Sequence, residues 1–245
     1  MILELKDISK NYHEPVSETK AIENVSLGVE AGEFVSIVGP SGCGKTTLLS
    51  IICGLTPPSS GTVTVNAGMG YMPQRDHLFE WRNILQNVLL GLEIKKQLSP
   101  ENICYAEELL DRYGLGEFKR HYPSQLSGGM RQRAALIRTL ALKPEILLLD
   151  EPFSALDYQT RLYVADEIGT IIRREKKTAV LVTHDISEAV SLSDRIIVLT
   201  KRPSRVLSIH TIELSMPEKS PIKAREAPEF RLYFNKIWKE LDVNV

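Results

Sequence analysis

The run Gly39-Pro40-Ser41-Gly42-Cys43-Gly44-Lys45-Thr46-Thr47 decides the reading of this chain. It matches G-x-x-x-x-G-K-[ST], a loop whose residue types suit the phosphates of a nucleoside triphosphate. Phe34 to Val38 before it reads as a buried strand, and Thr47 to Ile52 after it reads as a helix. Strand, glycine loop and helix is the order this motif needs. Glycines let successive backbone N–H groups curl toward phosphate with no Cβ in the way. The helix start near Gly44 adds unpaired N–H groups and a favourable dipole. Lys45 is expected to reach the β- and γ-phosphates. Thr46 is expected to place its hydroxyl on Mg²⁺, while Thr47 packs or supports. The plainer alternative is a glycine-rich turn with a surface lysine.

Asp150 and Glu151 follow the apolar run Ile146 to Leu149. An acidic residue leaving the C-terminal end of a parallel strand lies near a ligand crevice. Asp150 suits a Mg²⁺ group beside Thr46, direct or through water. Glu151 suits the general base that polarises an attacking water. The competing reading is a solvated acidic cap after a strand.

Composition narrows the class. The chain has 245 residues, enough to bury a substantial core as one domain or one domain plus a lobe. Its 30 Lys and Arg against 31 Asp and Glu leave no basic excess, so nothing in the charge balance points to a general nucleic-acid surface. No apolar run approaches the length that spans a bilayer, and Met1 to Leu5 does not read as a signal peptide. Cys43, Cys53 and Cys104 lack metal-like spacing and suit a reducing compartment.

The element order is α/β. Leu3 to Ser9, Ala21 to Val29, Phe34 to Val38, Thr62 to Val65 and Gly70 to Pro73 read as strands. Residues 15–20 read as a loop. Asn83 to Leu92, Pro100 to Tyr113 and Ser127 or Gly128 to Leu142 read as helices with no strand between them. A β-α-β rhythm then resumes with the strand from Ile146, a helix over Asp157 to Lys176, a strand over Ala179 to Thr183, a helix over Ile186 to Leu192 and a strand over Arg195 to Leu199. That rhythm predicts a mainly parallel sheet covered by helices. Val206 to His210 reads as an edge strand, Pro217 to Pro228 as a linker, and Glu229 to Leu241 as a terminal helix. Leu232, Phe234, Ile237, Trp238 and Leu241 are the apolar set of that helix. The division expected is a core of residues 1–77 and 136–210, a helical lobe of 78–135, and a tail of 211–245.

With further strings added, the chain resembles the ATP-binding subunit of an ABC transporter across roughly residues 2–210. Leu126-Ser127-Gly128-Gly129-Met130-Arg131-Gln132-Arg133 looks like the family signature, and Ile146 to Glu151 like its Walker B strand. Gln74 looks like the Q-loop glutamine, Ser154-Ala155-Leu156-Asp157 like the D-loop, His184 like the switch histidine, and Tyr12 like the aromatic that stacks on adenine. The resemblance implies a P-loop NTPase core with a mainly parallel sheet, an N-terminal antiparallel β-subdomain and an inserted helical subdomain. It implies that Ser127, Gly128 and Gly129 of one copy close over the ATP held by the P-loop of a second copy. It also implies that Gln74 contacts Mg²⁺ or the lytic water, that His184 positions that water, and that Glu151 activates it. His13, His77, His121 and His210 have no such support and read as structural or surface residues.

Tyr122-Pro123-Ser124-Gln125 resembles importer-type subunits. Phe79-Glu80-Trp81-Arg82-Asn83-Ile84 and Asn87-Val88 resemble the group serving nitrate, sulfonate and taurine. That group usually carries Pro where Glu80 stands, and a longer segment than Val65 to Gly70. The resemblance implies a peripheral subunit on the cytoplasmic face of the membrane, partnered by a second copy and a permease. An external solute-binding protein would act indirectly, with Phe79 and Trp81 toward the permease. A soluble assembly ATPase acting on a protein scaffold, as in iron–sulfur cluster assembly, is the alternative use of such a cassette.

Overall fold

The computed structural model describes residues 1–13, 18–215 and 220–242, with no side-chain placement for His13. β1 (Leu3–His13), β2 (Glu18–Val29) and β4 (Ser60–Val65) form an antiparallel sheet in the order β2-β1-β4. The strand β2 begins at Glu18, so residues 18–20 belong to a strand rather than to the predicted loop. Residues 14–17 lie outside the described set.

A six-stranded sheet forms the centre, ordered β5-β6-β7-β3-β8-β9. Its strands are β3 (Phe34–Val38), β5 (Met69–Met72), β6 (Ile146–Asp150), β7 (Thr178–Val182), β8 (Arg195–Leu199) and β9 (Val206–Thr211). All its pairs are parallel except β8–β9; β9 is the edge strand expected from the sequence, and its pairing is antiparallel. The continuous apolar strands are buried on both faces, as parallel sheets require. Leu147, Leu149, Ala179 and Leu181 face one side, while Ile146, Leu148, Val180 and Val182 face the other. That second side meets α1 (Lys45–Ile52) through Leu48, Leu49, Ile51 and Ile52, and the antiparallel sheet packs into the same cluster.

The helices α2 (Ile84–Ile94), α3 (Pro100–Arg112), α4 (Gly128–Leu140) and α5 (Tyr158–Arg174) adjoin the first side. Their starts follow the sequence. Asn83 and Gln86 close a reciprocal capping box on α2, Ser99 caps α3 with Pro100 in its first turn, Ser127 caps α4 and Asp157 caps α5. Gly114, at φ 73°, stops α3. One apolar cluster runs from Leu92, Leu109 and Leu110 through Ala134 and Leu136 to the sheet. The helix α4 crosses residue 135, so one rigid element joins the lobe segment to the core.

The tail contributes α7 (Pro221–Ala224) and α8 (Pro228–Asp242), both packed against α6 (Ile186–Leu192) of the core. The short α7 corrects the linker expectation: Ser220 caps it, and Ser220 also donates to Asp166 of α5 at 2.6 Å. On α8, Ile237 is fully buried with Val38, Ile196 and Val198, and Phe234 and Leu241 pack beside it. Leu232 and Trp238 point outward at 70% and 55% exposure, so two of the five expected apolar contacts are not made to the core.

Candidate functional site

The site is assembled at one edge of the central sheet. Parallel pairing places the ends of β3, β6 and β7 side by side, and the loops that follow each strand meet there. β3 runs into the glycine loop, where Gly42 and Gly44 adopt φ of 74° and 113°. Those values demand glycine, because a Cβ is disfavoured in the left-handed region. A Cβ on Gly44 would also lie 3.2 Å from the carbonyl of Ala21. The Lys45 ammonium is buried and donates to the carbonyls of Gly39 at 2.8 Å and Pro40 at 3.1 Å. Cys43 is buried behind the loop, which pushes its thiol pKa up and disfavours the reactive thiolate.

A cavity of about 220 Å³ opens over this loop, lined by Ser41, Gly42, Gly44, Lys45, Thr46, Thr47, Glu151 and Arg202. The acidic pair occupies two different settings. Asp150 ends β6 and accepts from the Thr46 hydroxyl at 3.2 Å and the Tyr71 hydroxyl at 3.2 Å. Burial raises the Asp150 pKa, and the two hydrogen bonds oppose that shift. Glu151 enters the left-handed region at φ 43°, unusual for a non-glycine residue. Its N–H is held by the Val182 carbonyl at 2.8 Å, and its carboxylate lines the cavity.

His184 follows β7, and its Nδ1 lies 2.9 Å from Glu151 Oε2. A carboxylate only accepts, so this bond places a proton on Nδ1. Gln74 does not line the cavity. Its amide donates to Ser154 Oγ at 3.1 Å, and Ser154 donates to the Glu151 carbonyl at 2.9 Å. Behind His184, Thr183 Oγ1 donates to Glu188 Oε2 at 2.6 Å and accepts from Asp185 N at 3.0 Å. Burial pushes the Glu188 carboxyl up to about 7. The nearby Asp185 adds to this rise, while Thr183, Arg161 and His184 oppose it.

Two expected regions stand apart from the cavity. Tyr12 is on β1, 40% exposed, with the Lys10 ammonium 5.2 Å from its ring centre. The Ser127 hydroxyl caps α4 by accepting from Met130 N at 3.3 Å. A Cβ on Gly129 would meet Val164 at 2.7 Å, and one on Gly128 would meet Leu156 at 3.0 Å. These two glycines therefore also let α4 approach α5 and the segment before it. Sequence reading missed Tyr71 and Arg202. Tyr71 pairs with Leu148 in the parallel β5–β6 register, which brings it beside Asp150. Arg202 reaches the glycine loop from the far end of β8 and donates to the Gly42 carbonyl at 2.8 Å.

No group of three or more His, Cys, Asp or Glu side chains able to hold a metal occurs among the described residues. The oxygen pair of Thr46 and Asp150 nonetheless suits Mg²⁺, which takes one or two protein oxygens and draws its other ligands from phosphate and water.

Residues 22–154 match the ABC transporter family model. This chain belongs to the ABC transporter family. It is an ABC ATPase, with the α/β cassette fold of that family. An uncharacterized ABC transporter ATP-binding protein of Bacillus subtilis is 46% identical over 248 residues, covering 98% of this chain and 95% of the relative. The aliphatic sulfonates import ATP-binding protein of Bacillus licheniformis is 37% identical, covering 99% and 95%. The nitrate import ATP-binding protein of Synechocystis is 39% identical, covering 97% and 94%. A solved dimeric ATP-binding cassette in a post-hydrolysis state with ADP and Pi is 35% identical, with TM-score 0.73, covering 86% of this chain and 99% of that one. Among the described residues of this ABC ATPase, no helix is long and apolar enough to cross a membrane.

Proposed function

We propose that this ABC ATPase energises an importer of a small organic or inorganic anion, working as a head-to-tail dimer on the cytoplasmic face of the membrane beneath a permease. The observation that carries the chemistry is the convergence of Lys45, Thr46 and Glu151 on one cavity, with His184 bonded to Glu151 at 2.9 Å. The importer assignment rests on relatives named for sulfonate and nitrate import that align along nearly the whole chain. A solute-binding protein outside the membrane would choose the cargo together with the permease.

In this reading Gly39 to Thr47 hold the phosphates of ATP, and Tyr12 stacks on adenine. Ser127, Gly128 and Gly129 of the partner copy close the site. Thr46 and Asp150, with Gln74, hold Mg²⁺, which when bound neutralises phosphate charge. Lys45 stabilises charge developing on the transferred phosphoryl group. Glu151 accepts a hydrogen bond from the attacking water and draws off its proton. His184 keeps the Glu151 carboxylate oriented through its Nδ1 proton. Gln74 links the Glu151 loop, through Ser154, to the start of the helical lobe of 78–135. Closure of two copies would thus be sensed at the permease face.

That face carries Phe79 and Trp81, stacked at 4.7 Å between ring centres, with Trp81 73% exposed. Aromatic anchors of this kind are frequent at interface centres. The buried Asn87 fixes the segment, accepting from Phe79 N and donating to the carbonyls of Phe79, Arg82 and Asn83.

The test is Glu151→Gln. Its hydrolysis rate should fall at least about a hundredfold, as expected on loss of a general base. Its affinity for ATP should be retained, and MgATP should convert it to a dimer in light scattering. Hydrolysis at the unmodified rate would remove Glu151 from the role assigned.

A further inference from the structure

We propose that Arg202 is a second cation of the nucleotide site, binding the phosphates nearest the nucleoside. The inference rests on the assignment of the Gly39 to Thr47 cavity to ATP, and it adds a ligand-binding residue that the P-loop motif does not contain.

The geometry begins with topology. β3 and β8 are parallel neighbours, with Val38 opposite Val198, so the loops that leave them emerge at the same edge. The loop after β3 is the phosphate loop. The loop after β8 folds back over it and is fastened at both sides. Thr200 and Arg205 close its neck, the Thr200 N–H donating to the Arg205 carbonyl at 3.0 Å. Ser204 N–H donates to Ala21 O at 3.1 Å, Glu23 N–H donates to Ser204 O at 2.9 Å, and Arg205 pairs with Glu23 at 2.9 Å. Arg202 leaves this braced loop and reaches the Gly42 carbonyl.

Arg202 lines two clefts at once. One is the cavity shared with Lys45, Thr46 and Glu151. The other, about 440 Å³, is lined by Glu18, Thr19, Lys20, Arg202 and Pro203. Glu151, which activates water, marks the γ-phosphate end of the first cavity. Arg202 also lines the second cleft, which Glu151 does not, so its guanidinium is assigned to the inner phosphates. An arginine offers five N–H donors in a planar fork matched to phosphate oxygens. Among the described residues, its side chain is hydrogen-bonded only to the Gly42 carbonyl, which leaves donors for an anion. A polyphosphate beside the Glu151 carboxylate benefits from a cation besides Lys45.

The account predicts the nucleotide dependence. Lys45 serves the β- and γ-phosphates, so its loss penalises ATP more than ADP. Arg202 serves the inner phosphates, so its loss penalises both alike. Titration calorimetry on the full chain with MgATP and MgADP should show Arg202→Ala weakened about tenfold for each, with their affinity ratio unchanged. Arg202→Lys should recover most of the loss, and the melting temperature of the ligand-free protein should not move. Lys45→Ala is the control and should change the ATP to ADP ratio. Affinities in Arg202→Ala within twofold of the unmodified protein would overturn the assignment, with the Lys45 result showing that the P-loop reading stands. A loss accompanied by a matching fall in ligand-free melting temperature would make Arg202 a structural brace and would also overturn it. Failure of the unmodified chain to bind either nucleotide would overturn the underlying cavity assignment.

Discussion

Glu151 occupies a backbone conformation that few side chains adopt, and three contacts hold it there. Val182 fixes its N–H, Ser154 its carbonyl and His184 its carboxylate. Such a residue costs on the order of 1–3 kcal/mol and persists where surrounding structure overdetermines it. The neighbouring Glu188 makes a separate prediction. Its native pKa of about 7 lies above the ordinary 4.5, so the folded chain holds its proton more tightly than the unfolded one. The stability this contributes is present at low pH and declines as pH rises from about 4.5 through about 7. Glu188→Gln lacks that titration. Its stability relative to the unmodified protein should therefore climb by up to about 3 kcal/mol between pH 4.5 and 8, at about 1.36 kcal/mol per pH unit. Urea unfolding across that range checks it, and parallel curves would count against it.

Legibility at this scale depended on whether the partner was local in sequence. Lys45, Thr46, Asp150 and Glu151 were readable because strand, loop and acid sit in short continuous runs. Tyr71 was not, because its role exists only through the register that sets it near Asp150. Arg202 needed the strand order of the central sheet, since β3 and β8 are far apart in sequence and adjacent in space. Nothing local to Arg202 and Pro203 says which loop that segment would touch.

Among the elements, α2 and α8 show how packing is divided between apolar and polar contacts. Asn87 is fully buried on α2 and satisfies four backbone groups of the preceding turn. Asn87→Ala would leave the Phe79 N–H and the Arg82 carbonyl without this partner, while the Phe79 and Asn83 carbonyls keep the N–H groups of Arg82 and Asn87. A loss of about 3 kcal/mol in denaturant unfolding is expected, with weakened retention by the proposed permease. On α8, Ile237→Ala should cost about 2–5 kcal/mol, the usual range for emptying a sealed apolar site. Loss of less than about 1 kcal/mol would mean that α8 is only loosely docked. The helix α8 was visible in sequence as an amphipathic run. Its docking face was less so, because Leu232 and Trp238 are apolar yet exposed. The short α7 was hidden by its flanking prolines, which read as a linker although Pro221 begins a helical turn.

Over the whole molecule, the cavity above the glycine loop sits beside the apolar clusters of the central sheet, while the other proposed contact surfaces face outward. The Ser127 helix start does not border its own cavity, and the aromatic pair Phe79 and Trp81 lies on the lobe surface. In the proposed reading, a single copy supplies one half of a nucleotide sandwich and one face for a permease. The central claim is that this ATPase drives a membrane transporter, and capture from membranes tests it most directly. Tagged Glu151→Gln protein should be recovered with MgATP from native, detergent-solubilised membranes and its partners identified by mass spectrometry. The account predicts a multi-spanning membrane protein bound in stoichiometric amount. Reproducible recovery of soluble scaffold proteins alone, with intact membrane complexes demonstrated in the same extract, would contradict it.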